Sequence, residues 1–142
     1  MKRTATAVWT GALKDGKGTL DTQSGVLKAT PYSFVSRFES GQGTNPEELI
    51  AAAHSGCFAM ALSGALTEAG FKPERLEATA EVSIDNVAGS GWTITTSRIT
   101  LKAKVPGIDE TKFHDITAKA KATCPVSRVL NATIMLDAKL VS

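Results

Sequence analysis

The chain has 142 residues, 16 basic against 14 acidic side chains and a 42% hydrophobic share. That length fits one domain, residues 1–142, with a core of useful size. The near-balance of charge gives no electrostatic case for nucleic acid or an anionic membrane as a partner, and two cysteines are too few for the disulfide framework of a small secreted protein.

Lys2 and Arg3 are followed by Thr, Ala and Val rather than by an apolar stretch, so no leader pattern is visible and the cytoplasm is the expected location. Up to Thr44 the signals are strand and turn. "TATAVWTGAL" alternates around Trp9, "KDGKG" reads as a turn, and "TLDTQSGVLKA" holds a tight reversal at Ser24-Gly25. "YSFVSRFES" puts Phe34 and Phe38 on one face and Val35 and Arg37 on the other, which predicts a further strand carrying Arg37. Gly41 and Gly43 then break the chain.

A long helix follows. Asn45 suits the N-cap, Pro46 the first helical position, and Glu47 and Glu48 the positive end of the dipole. Glu48 also has capping-box spacing from Asn45. Gly70 with Pro73 ends the helix. From Leu49 to Thr67 there is no charged side chain, a run long enough to span a bilayer. Its Ala and Gly content, His54, Ser55 and Ser63, and acidic flanks without a basic anchor favour a helix buried on all sides in a soluble protein. Such a run is about 28 Å long. A chain of this size can hardly wrap it, so a second copy in a two-fold dimer is the expected cover.

Two alternating strands follow, "RLEATAEVSIDNV" and "GWTITTSRITLKAKV", joined by "AGSG", each with one wet face. Ile108, Asp109 and Phe113 have the spacing of a hydrophobic staple around an N-cap, and Phe113, Ile116, Ala120 and Cys124 fall on one helical stripe. Pro125 restarts a short helix in "CPVSRVL", and "ATIMLDAKLV" is a last strand. The order of elements predicts an α+β fold.

Cys57 stands about three turns into the apolar helix, beyond the reach of its dipole, and apolar burial alone raises a thiol's pKa. Such a thiol is inert unless a fixed cation stands beside it. Lowering the pKa from about 8.5 to about 6 takes roughly 3.4 kcal/mol, and one guanidinium at ~4 Å supplies about 4 kcal/mol at an effective dielectric near 20. Of the five arginines, Arg37 precedes the cysteine's helix directly, and Glu47 could anchor it through a bidentate pair. Cys124 sits at the mouth of the short helix, where free N–H groups favour a thiolate. Spacing alone leaves open whether the two thiols are independent core residues or a long-range redox pair.

The segments "PYSFVSRFE", "GTNPEELIAAAHSGCFAMAL", "VPGID" and "KAKATCPVSRVL" resemble the OsmC/Ohr superfamily, the OsmC (osmotically inducible protein C) branch more closely than the organic hydroperoxide resistance branch. The likeness runs from Trp9 to the last strand. It implies an intertwined homodimer with long central helices packed between β-sheets and active sites at the subunit interface. It also implies a thiol-dependent peroxidase that reduces alkyl or fatty-acid hydroperoxides to alcohols in oxidative and osmotic stress defence. Cys57 matches the peroxidatic cysteine, Cys124 the resolving one, Arg37 the arginine that stabilises thiolate and leaving group, and Glu47 the glutamate that orients it. Glu48 is read as a capping residue only. No bound cofactor or metal is implied; the reductant is an external dithiol, usually a lipoyl group on a carrier protein. Ile50, Ala53, Met60 and Ala61 are the expected helix wall beside the sulfur.

Other readings fit less well. The residues around the cysteines do not match a peroxiredoxin of thioredoxin fold. A zinc site would have to use His54, Cys57, His114 and Cys124 without compact ligand spacing, and His54 is expected to be a hydrogen-bonded core or interface residue instead. A non-catalytic module for a small apolar ligand, with Cys57 as packing, is the rival of a different class.

Overall fold

Alternating residues and turn signals open the chain, and they form strands. In the computed structural model, which describes residues 1–142, β1 (Ala5–Thr10), β2 (Lys17–Thr22) and β3 (Thr30–Tyr32) make an antiparallel sheet in that order. The reversal after β2 turns at Gly25, whose φ is +76°. Gly18 lies directly under the Tyr32 ring, where a Cβ would collide with it, and the Trp9 and Tyr32 rings meet at 5.3 Å. This sheet belongs to the first of two compact units, Met1–Leu49.

The strand expected over "YSFVSRFES" is a helix instead. After the three-residue β3 the chain forms α1 (Phe34–Phe38), capped by Ser33. The Ser36 N–H donates to Ser33 Oγ at 3.1 Å, and the Ser33 N–H donates to Ser36 Oγ at 2.8 Å. A reciprocal cap of this kind satisfies two donors that a strand edge would leave open. Phe34 and Phe38 are four residues apart, so their spacing suits one helix face as well as one strand face. Their rings meet at 4.9 Å.

α2 (Pro46–Glu68) begins as expected, with the Glu48 N–H donating to Asn45 Oδ1 at 2.8 Å. The second arm of the expected capping box is absent: the Glu48 carboxylate accepts from the Thr44 hydroxyl at 2.9 Å. At its far end the Phe71 N–H reaches Leu66 O and the Gly70 N–H reaches Thr67 O, with Gly70 at φ +87°. That is a Schellman closure around the only residue type that adopts this φ without strain.

The second unit is Ile50–Ser142. β4 (Arg75–Val87) and β5 (Gly91–Lys104) form a long antiparallel hairpin, with a bulge between Ser83 and Ile84. β6 (Thr133–Leu140) pairs parallel to β5, which requires a crossover. α3 (Glu110–Thr123) and α4 (Pro125–Val129) supply it. Asp109 caps α3 by accepting from the Lys112 N–H at 2.9 Å. The core joins Phe58, Leu62 and Leu66 of α2, Ile99, Leu101 and Ala103 of β5, and Phe113, Ala120 and Cys124 of the crossover.

Burial of α2 on all sides does not occur within one chain. Only the stripe His54, Phe58, Leu62 and Leu66 is fully buried, at the four-residue spacing of one helix face. Ala52, Gly56, Met60 and Gly64 lie on the opposite face and are exposed. One core takes one stripe of a helix, and the uncharged run from Leu49 to Thr67 has no charged face to offer to water.

Candidate active site

Within the first unit α1 and the start of α2 bring Arg37 and Glu47 together. Arg37 Nε is 3.2 Å from both carboxylate oxygens of Glu47, and its terminal nitrogen donates to Oε1 at 2.7 Å. A guanidinium bound in this forked way is fixed in direction as well as position. Glu47 is buried, and the Arg37 guanidinium also stands 5.1 Å from the centre of the Phe38 ring. The pair borders a cavity of about 300 Å³ lined by Trp9, Leu13, Tyr32, Phe34, Phe38 and Pro46. These aromatic residues were not singled out as site residues in the sequence. Trp9 and Tyr32 come from separate strands, and only their pairing across β2 brings the rings together.

Within the second unit the two thiols meet. Cys57 on α2 and Cys124, the residue between α3 and α4, are both free, and their sulfurs are 3.3 Å apart. Sixty-seven residues separate them in the chain. Burial pushes the Cys57 thiol up; the Val126 N–H opposes this, and the neighbouring Cys124 raises it further. Cys124 is also penalised by burial, yet its pKa lies below the ordinary thiol value, because the Ser127 N–H, the Cys57 thiol, the Ser127 hydroxyl and the Val126 N–H all favour its thiolate. The surroundings therefore favour a thiolate at Cys124 over one at Cys57. Of the expected helix wall, Ala53 and Met60 are exposed, while Ile50 and Ala61 are half-buried.

His54, one turn before Cys57, is fully buried. Its Nδ1 is 2.7 Å from Ser97 Oγ and its Nε2 is 2.8 Å from Ser127 Oγ. Ser97 and Ser127 were not anticipated as its partners. They lie 43 and 73 residues from it in the chain, beyond the reach of any local pattern.

Two free thiols within van der Waals distance, outside any CxxC motif, on an α+β scaffold define a cysteine-based redox protein. The chain belongs to the OsmC family: the family model described as OsmC-like protein matches residues 39–139. It is 54% identical to Peroxiredoxin OsmC of Escherichia coli (strain K12), over 96% of this chain and 94% of that protein. It is 32% identical to the organic hydroperoxide resistance protein of Xanthomonas axonopodis pv. citri (strain 306), over 66% of this chain and 64% of that one. Among solved structures, an organic hydroperoxide resistance protein from Elizabethkingia anophelis superposes with a TM-score of 0.74 at 26% identity, covering 99% of each chain. The chain is a peroxidase-type enzyme of stress defence, with an OsmC-like α+β fold.

Proposed function

We propose that this enzyme reduces organic hydroperoxides, alkyl or fatty-acid, to alcohols, with Cys57 as peroxidatic thiol, Cys124 as resolving thiol, and Arg37 and Glu47 as the cation and its anchor. The observation that carries this reading is the 3.3 Å approach of the two reduced sulfurs. The Cys57 thiolate attacks the terminal peroxide oxygen; an S–O bond forms, the O–O bond breaks, and the alkoxide leaves and is protonated to the alcohol. Cys57 is then a sulfenic acid. Cys124 attacks its sulfur, the disulfide forms, and hydroxide leaves and is protonated to water. An external dithiol, a lipoyl group on a carrier protein, returns both thiols.

Burial works against ionisation of Cys57, so the first step needs a cation. Arg37 supplies it, and it also stabilises the developing negative charge on the alkoxide. Glu47 fixes the fork of the guanidinium. The aromatic cavity beside Arg37 suits an alkyl substituent better than hydrogen peroxide. Anaerobic titration with cumene hydroperoxide is expected to consume both thiols of each chain and to yield an intramolecular disulfide that dihydrolipoamide reverses. Slow or absent thiol loss would overturn the peroxidase reading and leave a module that binds an apolar ligand.

The working unit in this proposal is a cytoplasmic homodimer of one peroxidase domain, residues 1–142, without a bound cofactor, membrane or nucleic acid. The exposed stripe of Ala52, Gly56, Met60 and Gly64 would pack on its copy, since small residues let helix backbones approach closely. α2 is also long and apolar enough to cross a membrane by length and composition, and light scattering separates the two cases. The protein is expected to be a dimer without detergent. A Cβ at Gly64 meets nothing within the chain, so Gly64→Leu leaves the protomer folded and shifts it towards monomer. A wild-type monomer, or a protein that requires detergent, would overturn the dimer.

A further inference from the structure

Behind the thiol pair, three buried or half-buried polar side chains take no part in the chemistry above. His54 bridges Ser97 and Ser127. Its burial lowers its pKa, so the ring is neutral at pH 7 and carries one N–H and one lone pair. Ser97 is fully buried, and its hydroxyl makes no other hydrogen bond. If it accepted from His54, its own proton would be stranded, which is costly in a dry interior. Ser97 therefore donates to Nδ1, and the ring proton stands on Nε2.

That assignment fixes the next bond. Nε2–H donates to Ser127 Oγ, and the Ser127 proton is free to point elsewhere. Ser127 is the third residue of α4 and Cys124 is its N-cap. From there its hydroxyl reaches the Cys124 sulfur and favours the thiolate. The result is a one-way chain of donors, Ser97 to His54 to Ser127 to the Cys124 sulfur. With the reverse polarity, Ser127 would donate to the ring and present a lone pair to the sulfur.

We propose that His54, locked in its Nε2–H tautomer by Ser97, is a positioning residue that turns the Ser127 hydroxyl onto Cys124 and so prepares the resolving thiol for attack. This rests on the assignment of Cys57 and Cys124 given above. In the resolving step the Cys124 thiolate attacks the Cys57 sulfenic sulfur, the S–S bond forms, the S–O bond breaks, and the hydroxide leaves as water after taking a proton. The relay itself gains and loses no electrons. It holds a donor on the attacking sulfur until the charge passes to the leaving oxygen.

The test uses the full chain in a Cys57→Ala background, where Cys124 is the only thiol. Its titratable neighbours are then reduced to His54, acting through Ser127. The thiolate is followed by ultraviolet absorbance and by alkylation against pH. Ser127→Ala is expected to raise the Cys124 pKa by about one unit, the loss of one hydrogen bond to a charged group. Alkylation at neutral pH slows by only about threefold, since the more basic thiolate is also more nucleophilic. His54→Leu gives the same shift, whereas His54→Gln, whose amide both donates and accepts, restores most of the wild-type value. An unchanged pKa in Ser127→Ala overturns the proposal, and so does an equal shift in His54→Gln and His54→Leu, which would mark a packing role. Where His54→Leu does not fold, Ser97→Ala replaces it; freeing the tautomer gives a smaller shift of the same sign, and no shift overturns the relay. No peroxide enters this measurement, so it stands apart from the peroxidase reading, which fails through Cys57→Ser instead.

Discussion

Cys57→Ser is expected to abolish hydroperoxide reduction, with kcat/KM falling by at least about a thousandfold, as when an enzyme loses its nucleophile. Serine replaces sulfur with a smaller oxygen that stays protonated at neutral pH, and neither property suits attack on a peroxide. The exchange is close to isosteric at a half-buried position, so the unfolding midpoint in urea moves little. The partner variant behaves differently. With Cys124→Ser the first step survives, so one equivalent of hydroperoxide is consumed in a burst. Turnover then stops, and the Cys57 sulfenic acid persists and climbs to sulfinic acid under excess peroxide. A trap for sulfenic acid distinguishes the two variants by mass. A Cys57→Ser protein that still consumes cumene hydroperoxide would remove the nucleophile from the proposal. A Cys124→Ser protein that turns over normally would remove the intramolecular disulfide.

Arg37→Ala is expected to lower kcat/KM at pH 7 by about a hundredfold or more, since the cation is asked for roughly 3.4 kcal/mol on the thiolate alone. The direction with pH follows from the sign. A lost cation raises the Cys57 pKa, so less thiolate is present at neutral pH and raising the pH recovers part of the rate. What alkaline pH does not recover is the stabilisation of the leaving alkoxide, and that residue of the defect measures the second role of Arg37. Arg37→Lys keeps the charge but loses the fork that grips both oxygens of Glu47, so it falls between wild type and alanine. Glu47→Gln behaves like a mild Arg37 variant. Full activity in Arg37→Ala would show that Cys57 needs no guanidinium.

The unusual demand on Arg37 comes from the thiol pair itself. The donors around the pair favour a thiolate at Cys124, while burial disfavours one at Cys57. The proposed cycle needs the reverse for peroxide attack and then this same order for resolution. A cation acting on Cys57 in the first step and a hydroxyl acting on Cys124 in the second would divide those tasks between separate groups.

Much of this molecule is local chemistry. Asn45, Pro46 and Gly70 set the ends of α2, Asp109 starts α3, Pro125 starts α4, and the alternation of β4 and β5 made a hairpin legible around "AGSG". The ends of elements can be read because caps and turns act within four or five residues. α1 was misread for a related reason: Phe34 and Phe38 satisfy two periods at once, and over five residues only the Ser33–Ser36 cap decides between them. The chemistry of thiols, guanidinium and carboxylate marks Cys57, Cys124, Arg37 and Glu47 as candidates, but their roles rest on the resemblance, because no rule of spacing joins residues 57 and 124.

By itself the sequence determined where α2, α3 and α4 begin, which residues alternate along β4 and β5, and that a helix with a long uncharged run carries a cysteine. Only the tertiary structure decided that the sulfurs of Cys57 and Cys124 stand 3.3 Å apart, that one stripe of α2 is buried while Gly56 and Gly64 stay exposed, and that His54 bridges two distant serines. The reason is range. Caps and periodicity act through neighbours in the chain, whereas a contact across 67 residues depends on how β5, α2 and the crossover close on one core, and no segment carries that information alone.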